Sequence, residues 1–163
     1  MESTPERGEV GAQACAVAEF FSDLVRSETR LYNALGARLR EAHGIVTSQF
    51  EFLRFVRDHS DVRVADLAAE FAIGIGATSK LGDRLELSGW IERVPNPADR
   101  RSSLLTLTET GRALMDAAER TFDEGLEELL WAALTPAQLA AAGKALAALR
   151  RSLERMGAGT PSG

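Results

Sequence analysis

Apolar residues recur along this chain at helical spacing over most of its length, with a short interval of alternation in the middle. From about Ala14 to His43, Val17, Phe21, Leu24, Leu31, Leu35 and Leu39 fall on one face of a continuous helix. About thirty residues of helix extend roughly 45 Å, more than a small subunit needs to cover its own core. Gly44 ends this helix. Thr47 or Ser48 can cap a second over Phe50–His59, where Phe50, Leu53 and Val56 share a face and Phe52 and Phe55 crowd the next. Val62-Arg63-Val64 alternates and predicts a short edge strand. Asp66–Phe71 predicts a short helix with Leu67 and Phe71 on one side, and Gly74-Ile75-Gly76 breaks into another. In that second helix Ala77, Leu81 and Leu85, with Leu87 and Trp90 beyond, are expected to point inward. Thr78, Ser79, Lys80, Asp83 and Arg84 are left outside.

Trp90–Val94 and Ser103–Leu107 are β-prone runs around a tip, residues 95–102, that carries Pro95, Asn96, Pro97, Asp99, Arg100 and Arg101. Thr108 caps a helix that keeps its apolar spacing to Trp131, and Thr135-Pro136 starts a last one with Leu139, Leu146, Leu149, Leu153 and Met156 along one stripe. Helix, turn, helix and basic hairpin in this order define a winged helix-turn-helix. The chain therefore reads as mainly α with a small β-wing, extended by N- and C-terminal dimerisation helices. The expected division is a flexible tail over 1–13, a long dimerisation helix over 14–46, a DNA-binding lobe over 47–110, further dimerisation helices over 111–156 and a tail over 157–163. The terminal stripes, represented by Val17, Phe21, Leu24, Leu31, Leu35, Leu146, Leu149 and Leu153, have nothing obvious inside one subunit to cover them. A two-fold dimer covers both, and it sets two recognition helices about 34–36 Å apart for a pseudo-palindromic operator.

The residues at the centre of the chain carry a resemblance. Asp66-Leu67-Ala68, then S-K-L-x-D-R-L-E-x-x-G-W-I-x-R over 79–93, then N-P-A-D-R-R-S-S-L-L-T-L-T-E-T-G over 96–111 closely resemble the MarR family of bacterial transcription regulators. The specific part is D-x-R at Asp99 to Arg101 followed by L-x-L-T-x-x-G ending at Gly111. With the flanking helices the resemblance covers roughly residues 14 to 156. It implies a homodimeric, sequence-specific regulator of double-stranded DNA, acting as a repressor relieved by a small aromatic or acidic effector. It also implies that Asp99 holds an arginine and so stiffens the wing, while Arg101 enters the minor groove. The effector pocket of such proteins lies where the second helix meets the first helix and the DNA-binding lobe. That assigns His43, Phe50 and Arg54 to it, with His43 and Arg54 as carboxylate or phenol partners, beside the plainer reading of the phenylalanine cluster as core.

The DNA-facing residues follow from position. Gly76, Ala77, Thr78, Ser79, Lys80 and Arg84 belong to the recognition helix, where Arg suits guanine and the hydroxyls suit phosphates or either base type. Asp99, Arg100 and Arg101 form the wing tip. Gly74-x-Gly76-x-x-Ser79-Lys80 is not a nucleotide loop, because the third glycine and the Gly-Lys-Ser/Thr element are missing.

Composition adjusts this picture at few points. The net charge of −5 looks wrong for a DNA binder. Residues 63–112 nevertheless hold seven basic and seven acidic side chains, so the acidity lies elsewhere, largely screened beyond a Debye length of about 8 Å. No apolar run approaches a membrane span and the N-terminus lacks a secretory pattern, so a cytoplasmic protein is expected. No catalytic pairing of Ser, His, Asp or Cys is apparent, so neither an enzyme, a metal site nor a cofactor is expected. Two alternatives stand beside the main reading. One is a winged-helix module that binds protein rather than DNA. The other is a thiol-based redox sensor using Cys15, as some similar regulators do with a first-helix cysteine close to tyrosines; here Tyr32 is far along the helix.

Overall fold

The computed structural model describes residues 7–159. The order is α1 (Arg7–His43), α2 (Thr47–Asp58), α3 (Val64–Glu70), α4 (Ile75–Leu87), β1 (Ile91–Pro95), β2 (Ser103–Leu107), α5 (Glu109–Trp131) and α6 (Pro136–Met156). This is the winged helix-turn-helix between long helices that the periodicity predicts. Thr108 caps α5 by accepting the Gly111 N–H at 3.0 Å, and Thr135 caps α6 by accepting the Gln138 N–H at 3.3 Å, with Pro136 in the first turn.

Three boundaries differ from expectation. Residues 7–13, read as tail on Gly8 and Gly11, are helical. Once the long helix behind them is nucleated, each added residue needs only favourable propagation. The second helix starts at Thr47, which lies inside it, and the N-cap is instead Val46, whose N–H is accepted by Gln49 Oε1 at 3.0 Å. Val62-Arg63-Val64 is not a strand. One bond, from the Leu105 N–H to the Val62 carbonyl at 2.8 Å, ties it to β2. Val64 already belongs to α3, whose entry is fixed by Asp66 accepting the Arg63 N–H at 2.8 Å. The sheet has two antiparallel strands, in register from Ile91↔Leu107 to Pro95↔Ser103.

One core joins α1 to α5 and the two strands. Phe50, Leu53, Leu67, Leu85, Ile91 and Met115 are buried in it, and Phe50 stacks on Phe122 with ring centroids 4.5 Å apart. The Thr47 hydroxyl donates to the Tyr32 carbonyl at 3.1 Å, and a Cβ on Gly36 would stand 2.7 Å from that hydroxyl, so Gly36 lets α1 and α2 touch. Gly125 does the same for α1 and α5, where a Cβ would lie 3.0 Å from Arg38 Cδ and 3.2 Å from Leu35 Cδ2. Arg57 on α2 donates twice to Glu119 on α5, each bond 2.7 Å. Its hydrogen bonds hold the Glu119 and Asp58 carboxyls below their ordinary range.

The terminal stripes divide. Leu35, expected on the dimer face, is 4% exposed and packs within its own chain, because Gly125 brings α5 close enough to cover it. Leu24 and Leu31 are half-buried. Val17 and Phe21 are exposed on α1, with Phe20 and Val25 beside them, and Leu146, Leu149 and Leu153 are exposed on α6, which buries no residue within the subunit.

Candidate nucleic-acid interface

Helix α4 packs on the core through Thr78, Leu81, Gly82 and Leu85. Thr78 is therefore not on the outer face as expected. Its side chain is fully buried, with the hydroxyl donating to the Gly74 carbonyl at 3.1 Å, so it closes the first turn instead of meeting DNA. Ala77 and Leu87, expected inside, are exposed, Leu87 to 91%. A single shift of phase accounts for all three, since moving the buried stripe onto Thr78 turns Ala77 and Leu87 away. Gly76, Lys80, Asp83 and Arg84 are exposed as expected, and Ser79 is half-buried. No atom lies within 4 Å of where a Cβ on Gly76 would stand.

The turn into α4 is tight. Ala72 takes the left-handed conformation, φ 51°, and the Ile73 N–H reaches back to the Ala68 carbonyl at 3.1 Å, as glycine-closed helices do.

The wing tip is held by side chains bonding to backbone. Asn96 Oδ1 accepts the Ala98 N–H at 2.9 Å, and Asn96 Nδ2 donates to Ser102 Oγ at 2.9 Å. Asp99 Oδ1 accepts the Arg101 N–H at 3.0 Å, while the Arg101 guanidinium stands 3.7 Å away. Asp99 thus fixes the backbone of Arg101 more than its charge, and the Arg101 side chain is 95% exposed. Arg100 is exposed beside it.

A residue without a role in the sequence reading ties the wing to α4. Arg93 on β1 donates to Asp83 at 2.7 Å and to Glu86, lying over Gly82, and is only 26% exposed. A Cβ on Gly82 would come 3.4 Å from Arg93 Nη2. The signal was available: two carboxylates one helical turn apart, followed across a turn by a strand arginine. The base of the wing is joined to α5 at Thr108, whose N–H donates to the Trp90 carbonyl at 3.1 Å and whose hydroxyl donates to the Gly89 carbonyl at 2.6 Å.

His43, Phe50 and Arg54 do not gather around one opening. His43 Nε2 pairs with Thr121 Oγ1 at 2.8 Å. Phe50 is fully buried against Phe122, and the Arg54 guanidinium lies 5.3 Å from the Phe50 ring centre and 5.5 Å from that of Phe122, bonded to Glu51 at 2.7 Å. The nearby cleft of about 370 Å³ is walled by Leu24, Tyr32, Leu35, Thr47, Glu51 and Phe122 among others, and none of the three expected residues lines it. The assignment of Phe50 to a ligand surface is corrected for this conformation, because aromatic stacking has taken the ring into the core. Cys15 is exposed, with Sγ 3.5 Å from Glu19 Oε1. A carboxylate neighbour is the opposite of the electropositive setting that activates a thiol.

Two helices joined by a tight turn, an outer face with lysine and arginine, and an arginine-tipped hairpin clamped to the second helix define a winged helix-turn-helix of the regulator class. The MarR family model matches residues 45–103. The chain is 31% identical to the multiple antibiotic resistance protein MarR of Escherichia coli over 96 residues, which are 59% of this chain and 67% of that protein. It is 27% identical over 116 residues to the HTH-type transcriptional repressor NicR of Pseudomonas putida, covering 71% and 73% of the two chains. In fold it matches Sco3205 of Streptomyces coelicolor, a MarR family transcriptional regulator solved in complex with DNA, with a TM-score of 0.78, 20% identity and coverage of 98% and 97%. This chain belongs to the MarR family of helix-turn-helix transcription regulators.

Proposed function

We propose that the protein is a cytoplasmic repressor that binds a pseudo-palindromic operator as a homodimer and is released by a small aromatic or acidic effector. The observation that carries the DNA reading is the wing tip: Arg101 is 95% exposed while its backbone is fixed by Asp99. With the backbone already fixed, only the side chain's own rotamer freedom is lost when Arg101 meets a phosphate or a minor groove. Lys80, Arg84 and Ser79, with Gly76 and Ala77, form the part of α4 that enters the major groove. The repressor name of the Pseudomonas relative favours repression over activation. The exposed apolar residues of α1 and α6 support the dimer, with helices over 7–43 and 109–156 as the dimerisation region and 47–108 as the DNA-binding lobe. The work is binding, not catalysis.

Two measurements test this. Selection from random duplex DNA should return inverted half-sites about one helical turn apart. Sedimentation should give one species of twice 17.6 kDa at micromolar protein. A concentration-independent monomer, or a selected pool no different from the input, overturns the reading. For release, an effector must bind the free form more tightly than the DNA-bound form, and tenfold relief corresponds to about 1.4 kcal/mol of coupling. A panel of phenols, aromatic carboxylates and cell extract metabolites that changes neither melting temperature nor operator affinity removes the effector.

A further inference from the structure

The residue that opens α4 has no structural reason to be apolar. Ile75 is 61% exposed, and Ile73 just before it is 39% exposed. The buried stripe of the helix, Thr78, Leu81, Gly82 and Leu85, is complete without Ile75. Its neighbours Gly74 and Gly76 have open space around them, with nothing within 4 Å of a Cβ at either. A first-turn position is well served by polar or acidic residues, and a β-branched side chain adds nothing to helix stability there. Leaving an isoleucine side chain in water forgoes the gain that burial would bring.

We propose that Ile75 is a specificity residue that reads the methyl group of a thymine in each half-site. The inference deepens the operator reading and rests on it. In a helix-turn-helix the N-terminal residues of the second helix come nearest the base edges. The major groove there offers hydrogen-bonding groups from every base but only one apolar feature, the thymine C5-methyl. An exposed branched aliphatic side chain between two glycines suits that feature. The glycines let the backbone approach, Ile75 covers the methyl, and Ser79 and Lys80 one turn further on make the polar contacts.

The test uses the whole chain and the site it selects. Each thymine of the half-site is replaced singly by deoxyuridine, which removes only the methyl. At one position the parent should lose about fourfold in affinity, the effect of returning one methyl to water, and about fifteenfold when both half-sites are changed. Ile75→Ala should bind the unmodified site more weakly, be indifferent to the same replacement, and melt with the parent because the side chain packs on nothing in the core. If no deoxyuridine replacement shifts the parent's affinity by more than about twofold, the proposal is overturned. The same holds if Ile75→Ala keeps the full sensitivity, or if the selected half-site contains no thymine. A parent that selects no DNA at all removes the operator reading and this proposal together, whereas indifference to deoxyuridine on a selected site removes this proposal alone.

Discussion

Replacing Gly111 by alanine should cost this protein a large part of its stability, and the reason lies at the joint between wing and α5. An alanine Cβ there would stand 1.9 Å from the Trp90 carbonyl oxygen and 2.8 Å from its carbon. Ordinary carbon–oxygen contact needs about 3.3 Å, so one backbone must retreat by more than an ångström. The carbonyl is not free to do so. It accepts the Thr108 N–H at 3.1 Å, and the Trp90 N–H donates to Leu85 at the end of α4, 3.0 Å away. Moving α5 instead would pull Gly111 N–H from the Thr108 hydroxyl that caps the helix. Overpacking costs about 1–3 kcal/mol and a lost buried hydrogen bond about 1 more, so about 2–4 kcal/mol is expected. For a chain of this length that lowers the melting temperature by roughly 5–15 °C. Urea unfolding should show the midpoint falling at unchanged slope. Thr110→Ala, an exposed neighbour in the same turn, is the control and should be neutral or slightly stabilising. A Gly111→Ala protein that unfolds with the parent would refute the close approach.

Arg101→Ala should lower operator affinity and reduce the slope of log K against log salt by up to about 2 per dimer, at unchanged melting temperature; an unaltered slope in gel shifts over a salt series would show that the tip is not at DNA. Leu153→Arg, at a position 42% exposed in the subunit, should give a folded monomer with weakened operator binding, read by sedimentation. A dimer as tight as the parent's would place the interface elsewhere. Stability should also fall in acid. Glu119, Asp58 and Asp66 titrate below their ordinary values because Arg57 or Arg63 hydrogen-bonds their carboxylates, so the unfolded chain takes up protons first. Their contribution is complete above about pH 5 and is lost as pH falls through the folded values. Melting temperature against pH should therefore be shallower below about pH 4.5 in Glu119→Gln.

The order of elements was legible because each long helix keeps its period and each cap has a chemical mark: Thr108, Thr135-Pro136, Gly44. The wing was legible because prolines, Asn96 and Asp99 punctuate two alternating runs. Misreadings came where a polar residue sits in the core or an apolar one does not. Thr78 satisfies its hydroxyl on Gly74 and so can be buried without loss, and the outward Ala77 and Leu87 follow from the same phase. Leu35 looked like a dimer residue because nothing in its own helix says that Gly125, ninety positions on, admits a close helix. His43, Phe50 and Arg54 were brought together only by analogy, and their actual partners, Thr121, Phe122 and Glu51, depend on how α1, α2 and α5 pack.

The partition of charge takes on a sharper meaning once Arg93 is placed. Counted by residue, the stretch 63–112 is neutral, which is a poor starting point for meeting a polyanion. Counted by what is free, it is not. Asp83 and Glu86 on α4 are bound by Arg93, Asp66 on α3 is bound by Arg63, and Asp99 is turned to its own backbone. Lys80, Arg84 and Arg100 form no ion pair among the described residues, and Arg101 has only its 3.7 Å contact with Asp99. These four carboxylates are thus engaged internally, while the cations at the outer face of α4 and at the wing tip remain open to solvent. The same Arg93 contacts that quiet the acidic residues also lock the wing to α4. Helix α4 and the wing hairpin are therefore held as one body, so that positioning one on a duplex would constrain the other.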